Sequence, residues 1–226
     1  MLQLSKLSVG NVLRDLSLTI KKEEFVLIVG DNGSGKTTLF NAISGYIKPT
    51  SGSIILDGED VTDMPQHARA FAIANVFQDP KSGTIGNMTL RENLNIAYMR
   101  CSRRSFRLSN SRTRDDLYCE KLNALGMGLE NRLDEKVRHL SGGQRQALSL
   151  IMSTISNSKL LLLDEVTAAL DTKASKNILN IVHEITRREK KTCLMITHDI
   201  SHAESWRDKL FVLKNGKLHN HINYCT

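Results

Sequence analysis

A glycine-rich segment near the start of the sequence has the residue types needed to hold a phosphate group. Residues 30–37 read Gly-Asp-Asn-Gly-Ser-Gly-Lys-Thr and follow the apolar run 25–29. Glycines let backbone N–H groups approach phosphate oxygens closely, and a helix that begins near Lys36 directs its positive end at them. We expect Lys36 to reach the β- and γ-phosphates of a nucleotide and the Thr37 hydroxyl to bind Mg²⁺. The predicted nucleotide-binding residues are Gly30, Asn32, Gly33, Ser34, Gly35, Lys36, Thr37 and Thr38.

Two carboxylates follow a second apolar run. Asp164 and Glu165 come directly after the four leucines of residues 160–163. The carboxyl end of a buried strand is where α/β sheets bind ligands. Asp164 is therefore predicted to hold Mg²⁺ through water, and Glu165 to polarise an attacking water as general base. Taken alone, the pair is also compatible with a turn or a helix N-cap.

A third segment, residues 140–144, reads Leu-Ser-Gly-Gly-Gln. The Ser141 hydroxyl, the N–H groups of Gly142 and Gly143, and the start of a following helix together form a predicted anion site. The alternative is that Ser141 caps the helix. The two roles are compatible with each other.

Apolar runs and turn residues predict the elements that hold these segments. A helix over residues 36–45 follows the glycine-rich loop, and another extends from Ser141 to about residue 157. Apolar positions 178, 181, 182 and 185 predict an amphipathic helix. Asn215-Gly216 predicts a hairpin turn with positive φ between residues 210–213 and 217–218. The predicted strands cover residues 13–20, 25–29, 53–58 with its turn, 72–77, 160–163 and 192–197.

Helical spacing replaces apolar runs between residues 79 and 140. Leu90, Leu94 and Ala97 fit one helix face, and Leu117, Leu122 and Leu125 fit another. We interpret this region as a helical subdomain inserted into an α/β core.

Composition limits the protein class. The chain has 226 residues, of which 40% are hydrophobic, enough for one α/β domain with a small subdomain and too many for a disordered protein. The longest apolar stretches have the length of strands, and the first residues lack a secretory signal, so we expect a cytosolic protein. The four cysteines form no C-x-x-C pair, which favours free thiols over zinc or redox sites.

The net charge of +7 is concentrated in one stretch. Six arginines between Arg100 and Arg114 share fifteen residues without an acidic one, and a second basic cluster spans residues 187–191. Such basic clusters have three possible roles: a solvated loop, a surface for a membrane or protein partner, or a contact with nucleic acid. The nucleic-acid role is the least favoured here. The sequence leaves these three interpretations open.

Taken together and in order, these segments resemble the nucleotide-binding subunit of an ATP-binding cassette (ABC) transporter over nearly the whole chain. The matching motifs are Walker A at residues 30–37, the Q-loop Gln78, the signature at 140–144, Walker B with Asp164 and Glu165, the D-loop at 168–171, and the switch His198. Residues 164–171, residues 88–94 and the arginine-rich stretch further resemble a bacterial group of tryptophan/tyrosine uptake ATPases.

The resemblance implies a P-loop NTPase fold of the α/β class: a RecA-like core with an antiparallel β subdomain and an inserted helical subdomain. It implies one ATPase domain over residues 1–226, with a catalytic core of 1–78 and 158–226 and a helical subdomain of 79–157 that carries the signature. It also implies ATP hydrolysis, with ATP and Mg²⁺ bound, that powers transport.

The resemblance further implies a role for each motif residue. Glu165, His198 and Gln78 are the expected catalytic residues: His198 contacts the γ-phosphate and Gln78 senses Mg²⁺ or the attacking water. Thr37, Gln78 and Asp164 are the expected Mg²⁺ site. Two copies form a head-to-tail dimer that Asp171 crosses, and Ser141, Gly142, Gly143 and Gln144 complete the site of the other copy. A dimer also explains why one chain has two anion sites far apart in sequence.

The expected partners are transmembrane permease subunits, an external substrate-binding protein, and a second cassette in a homodimer or pseudo-symmetric heterodimer, with no nucleic acid. The expected location is the cytoplasm, peripheral on the cytoplasmic face of the cell (inner) membrane, and the expected process is import of an amino acid or other small solute. The alternative is a non-transport ABC ATPase that acts on nucleic acid or the ribosome, which only the arginine-rich stretch supports. A steep salt dependence of nucleic-acid binding would distinguish it. A nucleotide-binding scaffold without hydrolysis is disfavoured by the presence of Glu165 and His198.

One departure from the family pattern concerns the base. Family members usually stack adenine on an aromatic residue shortly before the second strand, and residues 7–12 contain none. Val9 and Val12 offer only apolar contact. Base selectivity is therefore the least supported part of the resemblance.

Overall fold

The computed structural model describes residues 1–99, 111–155, 158–168, 170–198 and 207–220. The chain divides into two compact units. The first contains Met1–Asn75, Ser158–Glu165 and His183–Thr226, and the second contains Val76–Asn157 and Val166–Val182. Four arginines of the basic stretch, at positions 100, 103, 104 and 107, lie outside the described residues.

Strands supply most of the first unit. They form a four-stranded sheet in the order β2-β1-β4-β5 and a six-stranded sheet in the order β10-β9-β3-β8-β7-β6. Their bounds are β1 (Leu2–Val9), β2 (Leu13–Ile20), β3 (Phe25–Val29), β4 (Ser51–Leu56), β5 (Glu59–Asp60), β6 (Ile73–Val76), β7 (Leu160–Asp164), β8 (Thr192–Thr197), β9 (Lys209–Lys214) and β10 (Lys217–Asn220).

The centre of the six-stranded sheet is parallel. Strand β3 pairs in parallel with β8 and β9, and β7 pairs in parallel with β8. All residues of β3 and β8 are buried, which is the pattern of parallel strands covered on both faces. The predicted strands at 25–29, 160–163 and 192–197 are confirmed. The parallel arrangement brings the carboxyl ends of β3, β7 and β8 to one edge.

Strand β1 was not predicted, because the alternation of its apolar residues changes phase. Leu2 and Leu4 are buried, and then Leu7 and Val9, with register shifts in both pairings of β1 between these two sets. Lys6, between them, has φ +48. A bulge of this kind adds a residue and breaks the period of two on which strand prediction relies.

Helix α1 (Lys36–Ser44) follows β3, and a buried arginine fixes its end. Gly45 ends the helix with φ +84. Arg69 lies on α2 (Gln66–Arg69), is 2% exposed, and donates hydrogen bonds to the last turn of α1 and to the preceding loop. Burial lowers the pKa of this guanidinium, although nearby Asp60 and Asp63 oppose that effect. Its four bonds go to the carbonyls of Ala42, Ile43, Met64 and Thr62.

The second unit is helical. It contains α3 (Leu90–Met99), α4 (Ser111–Asn123), α5 (Gly142–Ile155) and the first part of α6 (Thr172–Arg188). The prediction for α3 is confirmed, since Leu90, Leu94 and Ala97 are buried. Two short 3₁₀ turns, Leu129–Asn131 and Val137–His139, lie between α4 and α5.

The predicted buried face of α4 was partly wrong. Leu122 and Leu125 are buried, but Tyr118 is fully buried and Leu117 is only partly buried. Tyr118 packs edge-on against Tyr98, with ring centroids 6.5 Å apart, and its hydroxyl donates to the Asn95 side chain. The larger ring occupies the buried position because its polar tip finds an acceptor there.

The terminal hairpin has the predicted turn. Asn215 and Gly216 have φ of +51 and +74, the signature of a type I′ turn. A Cβ at Gly216 would lie 2.0 Å from the Val12 carbonyl, and the Gly216 carbonyl accepts the N–H of Arg14. Position 216 therefore requires glycine both for its positive φ and because a Cβ would clash with the Val12 carbonyl.

No helix within the described part of the chain combines the length and the apolar character needed to cross a membrane.

Cys119 and Cys193 are free thiols, and burial raises the pKa of Cys193. The other two cysteines lie outside the described residues.

Candidate functional site

The glycine-rich loop joins β3 to α1 at the carboxyl edge of the parallel sheet. A Cβ at Gly30 would lie 2.4 Å from the Leu213 carbonyl oxygen, so only glycine fits between the neighbouring strand and the loop. Gly35 precedes α1 with φ +105 and gives no side-chain cap. The first N–H groups of α1 therefore remain for another acceptor, as a phosphate site requires.

Polar side chains in this loop are arranged for an anion. Lys36 is 6% exposed, and its ammonium group donates to the carbonyls of Gly30 (2.7 Å) and Asp31 (3.0 Å). The Ser34 hydroxyl is buried and has no hydrogen-bond partner among the described residues. A buried hydroxyl without a partner is costly, and a phosphate oxygen would satisfy it. The loop thus fits the nucleotide that its sequence predicts.

The other predicted loop residues are open to solvent. Asn32, Gly33 and Thr37 are exposed, and Thr38 is partly buried. The Thr37 hydroxyl, in the first turn of α1, and the Asp164 carboxylate, at the end of β7, are both hard oxygen ligands of the kind Mg²⁺ prefers.

Glu165 links the loop to the end of β8. One carboxylate oxygen lies 3.6 Å from the Lys36 Nζ, and the other lies 3.2 Å from the Nδ1 of His198. The Glu165 side chain is 12% exposed, whereas that of His198 is 58% exposed. The sequence predicted these three residues from three separate segments, of which that of Lys36 is more than a hundred positions from the other two, and the sheet brings them together.

The backbone at Glu165 is strained. Its φ is +43, a left-handed conformation that costs a side-chain-bearing residue of order 1 kcal/mol. The Glu165 N–H donates to the Ile196 carbonyl at 2.9 Å, which anchors the turn to β8. This turn directs the carboxylate toward Lys36 and His198.

Asp164 has a raised pKa. Burial is the main cause, the adjacent Glu165 carboxylate adds to it, and Lys36 opposes it. A carboxylate held in such surroundings is less stable than in water. A bound cation would favour its charged form.

The predicted signature residues lie in the second unit, where Ser141 and Gln144 form a reciprocal cap of α5. The Gln144 N–H donates to the Ser141 hydroxyl (3.2 Å), and the Ser141 N–H donates to the Gln144 side-chain oxygen (3.1 Å). This is the capping box of the S-x-x-Q pattern. Since the hydroxyl oxygen accepts within the box, its own proton remains available for a phosphate oxygen.

Asp171, also in the second unit, caps α6: its carboxylate accepts the N–H of Ala174 at 2.8 Å. The two signature glycines lie beside this D-loop. A Cβ at Gly143 would be 3.4 Å from that of Ala174, and one at Gly142 would be 3.7 Å from the Leu170 side chain. The two elements that the family resemblance assigns to the dimer interface are therefore neighbours. Ala169 lies outside the described residues.

Gln78 is exposed and follows the end of β6 by two positions. Of the two valines considered for the base, Val9 is 7% exposed within β1. Val12 is 44% exposed, and its methyl carbon lies 3.2 Å from where a Cβ of Gly35 would be.

Sequence reasoning missed Arg69, because a lone arginine in a polar segment gives no sign that it will be buried.

Replacing Asp164 with Asn should stabilise the nucleotide-free protein. The folded-state pKa of Asp164 is raised, so the folded protein gains stability as pH falls through that pKa and loses it as pH rises. The isosteric amide removes the partly buried charge, so the Tm of D164N should exceed that of the wild type at pH 8, and the difference should shrink as the buffer is acidified.

Thermal unfolding from pH 5 to 8 measures this effect, with Asp171→Asn, at an exposed N-cap, as the control. A D164N variant less stable than the wild type at pH 8 would contradict the electrostatic account.

Comparisons with known proteins show the family to which this chain belongs. Residues 13–168 match the ABC transporter family. A tyrosine transport ATP-binding protein of Clostridioides difficile is 42% identical over 92% of this chain and 83% of its own length. One similar solved structure is the dimeric ATP-binding cassette MJ0796 in a post-hydrolysis state, bound to ADP and Pi. It is 28% identical in sequence, with a TM-score of 0.80, and the match covers 97% of this chain and 98% of the MJ0796 chain. The structure of cbiO1 from Clostridium perfringens, part of the ABC transporter complex cbiONQ, is 27% identical with a TM-score of 0.83, over 96% of this chain and 86% of its own. The chain belongs to the ABC transporter family, as an ATP-binding subunit with the α/β P-loop NTPase fold and the ATPase activity of that family.

Proposed function

We propose that the whole chain, residues 1–226, is one cassette ATPase domain that powers import of an amino acid or another small solute through a separate permease. Within it, residues 1–78 and 158–226 form the proposed catalytic core, and residues 79–157 form the proposed helical subdomain. The observation that carries the proposal is the convergence of Lys36, Glu165 and His198 at one edge of the sheet.

Hydrolysis needs a base, a way to orient it and a counter-charge. Glu165, nearly enclosed between Lys36 and His198, accepts the proton of the attacking water. The tautomer of His198 that carries its proton on Nδ1 donates to the Glu165 carboxylate and holds it in one orientation. Lys36 exchanges its carbonyl contacts for phosphate oxygens when the nucleotide enters the loop.

Thr37, Asp164 and Gln78 are the residues proposed to hold Mg²⁺. When bound, Mg²⁺ neutralises negative charge on the phosphate oxygens. Asp164 contributes a carboxylate whose ionised form the cation stabilises. Gln78 contributes an amide oxygen from the exposed segment that follows β6.

The second unit is proposed to complete the site of another copy. Its exposed Ser141 hydroxyl, the Gly142 and Gly143 N–H groups and Asp171 form one neighbouring set of phosphate-binding and interface residues. Closure of two such copies on two nucleotides, and their release after hydrolysis, is a ligand-driven shift between two states. The structural relative MJ0796 is dimeric in its ADP-and-Pi state, which supports this arrangement.

The relative from C. difficile supports amino acid import, because it is named for tyrosine transport. We propose transmembrane permease subunits and an external substrate-binding protein as partners, and a location peripheral on the cytoplasmic face of the cell membrane. A permease gene and a gene for a secreted binding protein beside this one would support import. ATPase activity that the transported solute stimulates only when that permease and binding protein are present would test it directly.

Glu165→Gln should trap an ATP-bound dimer. The amide keeps the shape of the carboxylate but cannot accept the proton, so turnover should fall by about 100-fold or more. Phosphate release and light scattering measure the two effects, with Mg²⁺ and ATP present.

Glu184→Gln, at an exposed position of α6, is the matched control and should retain wild-type activity and association. Wild-type turnover in the Glu165 variant would remove the role assigned to Glu165.

Val12→Tyr should tighten ATP binding. The exposed valine lies beside the first turn of α1 and offers the base no ring. A stacking ring is worth roughly 1–3 kcal/mol, or about 5- to 150-fold in Kd. The wild type should also discriminate ATP from GTP only weakly, and calorimetry with both nucleotides measures this.

Val12→Leu controls for apolar area without a ring and should leave the Kd for ATP near that of the wild type. An unchanged Kd in Val12→Tyr would show that the base lies elsewhere.

A further inference from the structure

The side chain of Gln146, in the second turn of α5, is buried with only half of its amide paired. The residue is 1% exposed. Its Nε2 donates to the Phe77 carbonyl at 3.2 Å, while its Oε1 has no hydrogen-bond partner among the described residues. An unpaired buried acceptor lowers stability, whereas an apolar side chain of the same length would carry no such cost. The single bond to Phe77 is what the amide adds.

Phe77 is the residue immediately before Gln78. We define residues 77–86 as the Gln78 segment. Strand β6 ends at Val76, so the Phe77 carbonyl lies just beyond the regular strand. Gln146 therefore supplies a fixed donor at the point where the backbone leaves the sheet and begins the Gln78 segment.

Helix α5 holds the far part of the Gln78 segment as well. Arg145, the neighbour of Gln146, donates from Nε to the Thr84 hydroxyl (2.6 Å) and from Nη2 to the Thr84 carbonyl (3.2 Å). A Cβ at Gly83 would lie 2.5 Å from the Ser149 Oγ, so the backbone touches the helix there. The Gln78 segment is thus fastened to one helix on both sides of Gln78.

We propose that Gln146 is a positioning residue that fixes the backbone of Gln78, so that α5, which begins at the Ser141-Gly142-Gly143 anion site, also determines the placement of Gln78. This inference rests on the proposed function, because it assigns Gln146 to the Mg²⁺ and water contacts proposed for Gln78. The Gln78 side chain itself is exposed, so its position depends on how firmly its backbone is held.

The test replaces Gln146 with Met, which matches its length and removes both amide atoms. The Tm should stay close to that of the wild type, because the unpaired Oε1 is lost while the Phe77 carbonyl loses its donor. The kcat of ATP hydrolysis should fall by roughly tenfold or more, since a misplacement of about 1 Å can reduce a rate by about 100-fold. The Mg²⁺ concentration for half-maximal activity should rise, and the KM for ATP should change little.

Thr154→Val is the matched control on the same helix. Among the described residues, its buried hydroxyl donates only to the Ile151 carbonyl within α5, so its loss should leave kcat and the Mg²⁺ dependence unchanged. The variant that combines Gln78→Ala with Gln146→Met should be no slower than Gln78→Ala alone, because a residue that acts through Gln78 has no effect once that side chain is absent.

Hydrogen exchange of the Gln78 segment gives a readout that does not depend on activity, and it should be faster in Gln146→Met than in the wild type. Wild-type kcat in Gln146→Met, or rate losses that multiply in the double variant, would overturn the proposal. A wild-type protein without Mg²⁺-dependent ATPase activity would instead contradict the proposed function. In that case, hydrogen exchange still tests Gln146 as a positioning residue. Unchanged exchange of the Gln78 segment in Gln146→Met would overturn that role, and faster exchange would support it.

Discussion

The buried ammonium group of Lys36 is the charge around which the first unit is organised. It sits behind the glycine loop, where two backbone carbonyls and the Glu165 carboxylate surround it. A buried cation is tolerated only with such partners. The loop therefore presents the carbonyls of Gly30 and Asp31 to the ammonium group, while the start of α1 has no side-chain cap. The same arrangement fixes Glu165, whose strained turn is anchored to β8.

Several polar groups at the two proposed sites are held in ways that lower the stability of the folded protein. The Ser34 hydroxyl and the Gln146 amide oxygen are buried without partners among the described residues, and Asp164 is partly buried beside a like charge. Functional sites commonly retain such groups, because a bound ligand or another segment of the protein supplies the missing hydrogen-bond or charge partner. Arg69 shows the contrast: it is just as buried, but its guanidinium is paired with four backbone carbonyls, two at the end of α1 and two in the loop before α2.

Much of the fold was predictable where local pattern and tertiary role coincide. The strand 25–29, the loop after it and the Asn215-Gly216 turn each require particular residues for local reasons, and the structure has all three as predicted. Strand β1 was not predictable, because a bulge at Lys6 moves its apolar residues out of phase. Tyr118 replaced Leu117 on the buried face of α4 because Asn95, on another helix, accepts its hydroxyl. Gln146 is the sharpest case: nothing in its neighbours along the chain indicates that its partner is a carbonyl 69 residues away.

The central claim is that the loop of one copy and the Ser141-Gly142-Gly143 segment of another hold the same nucleotide. Subunit mixing tests it most directly. Lys36→Met and Ser141→Arg proteins, each inactive alone, are combined and assayed for ATPase activity. Mixed dimers contain one site built from the intact loop of one variant and the intact signature of the other, so activity should return on mixing. A mixture as inactive as its components, although mixed dimers form, would show that each site is built within one chain.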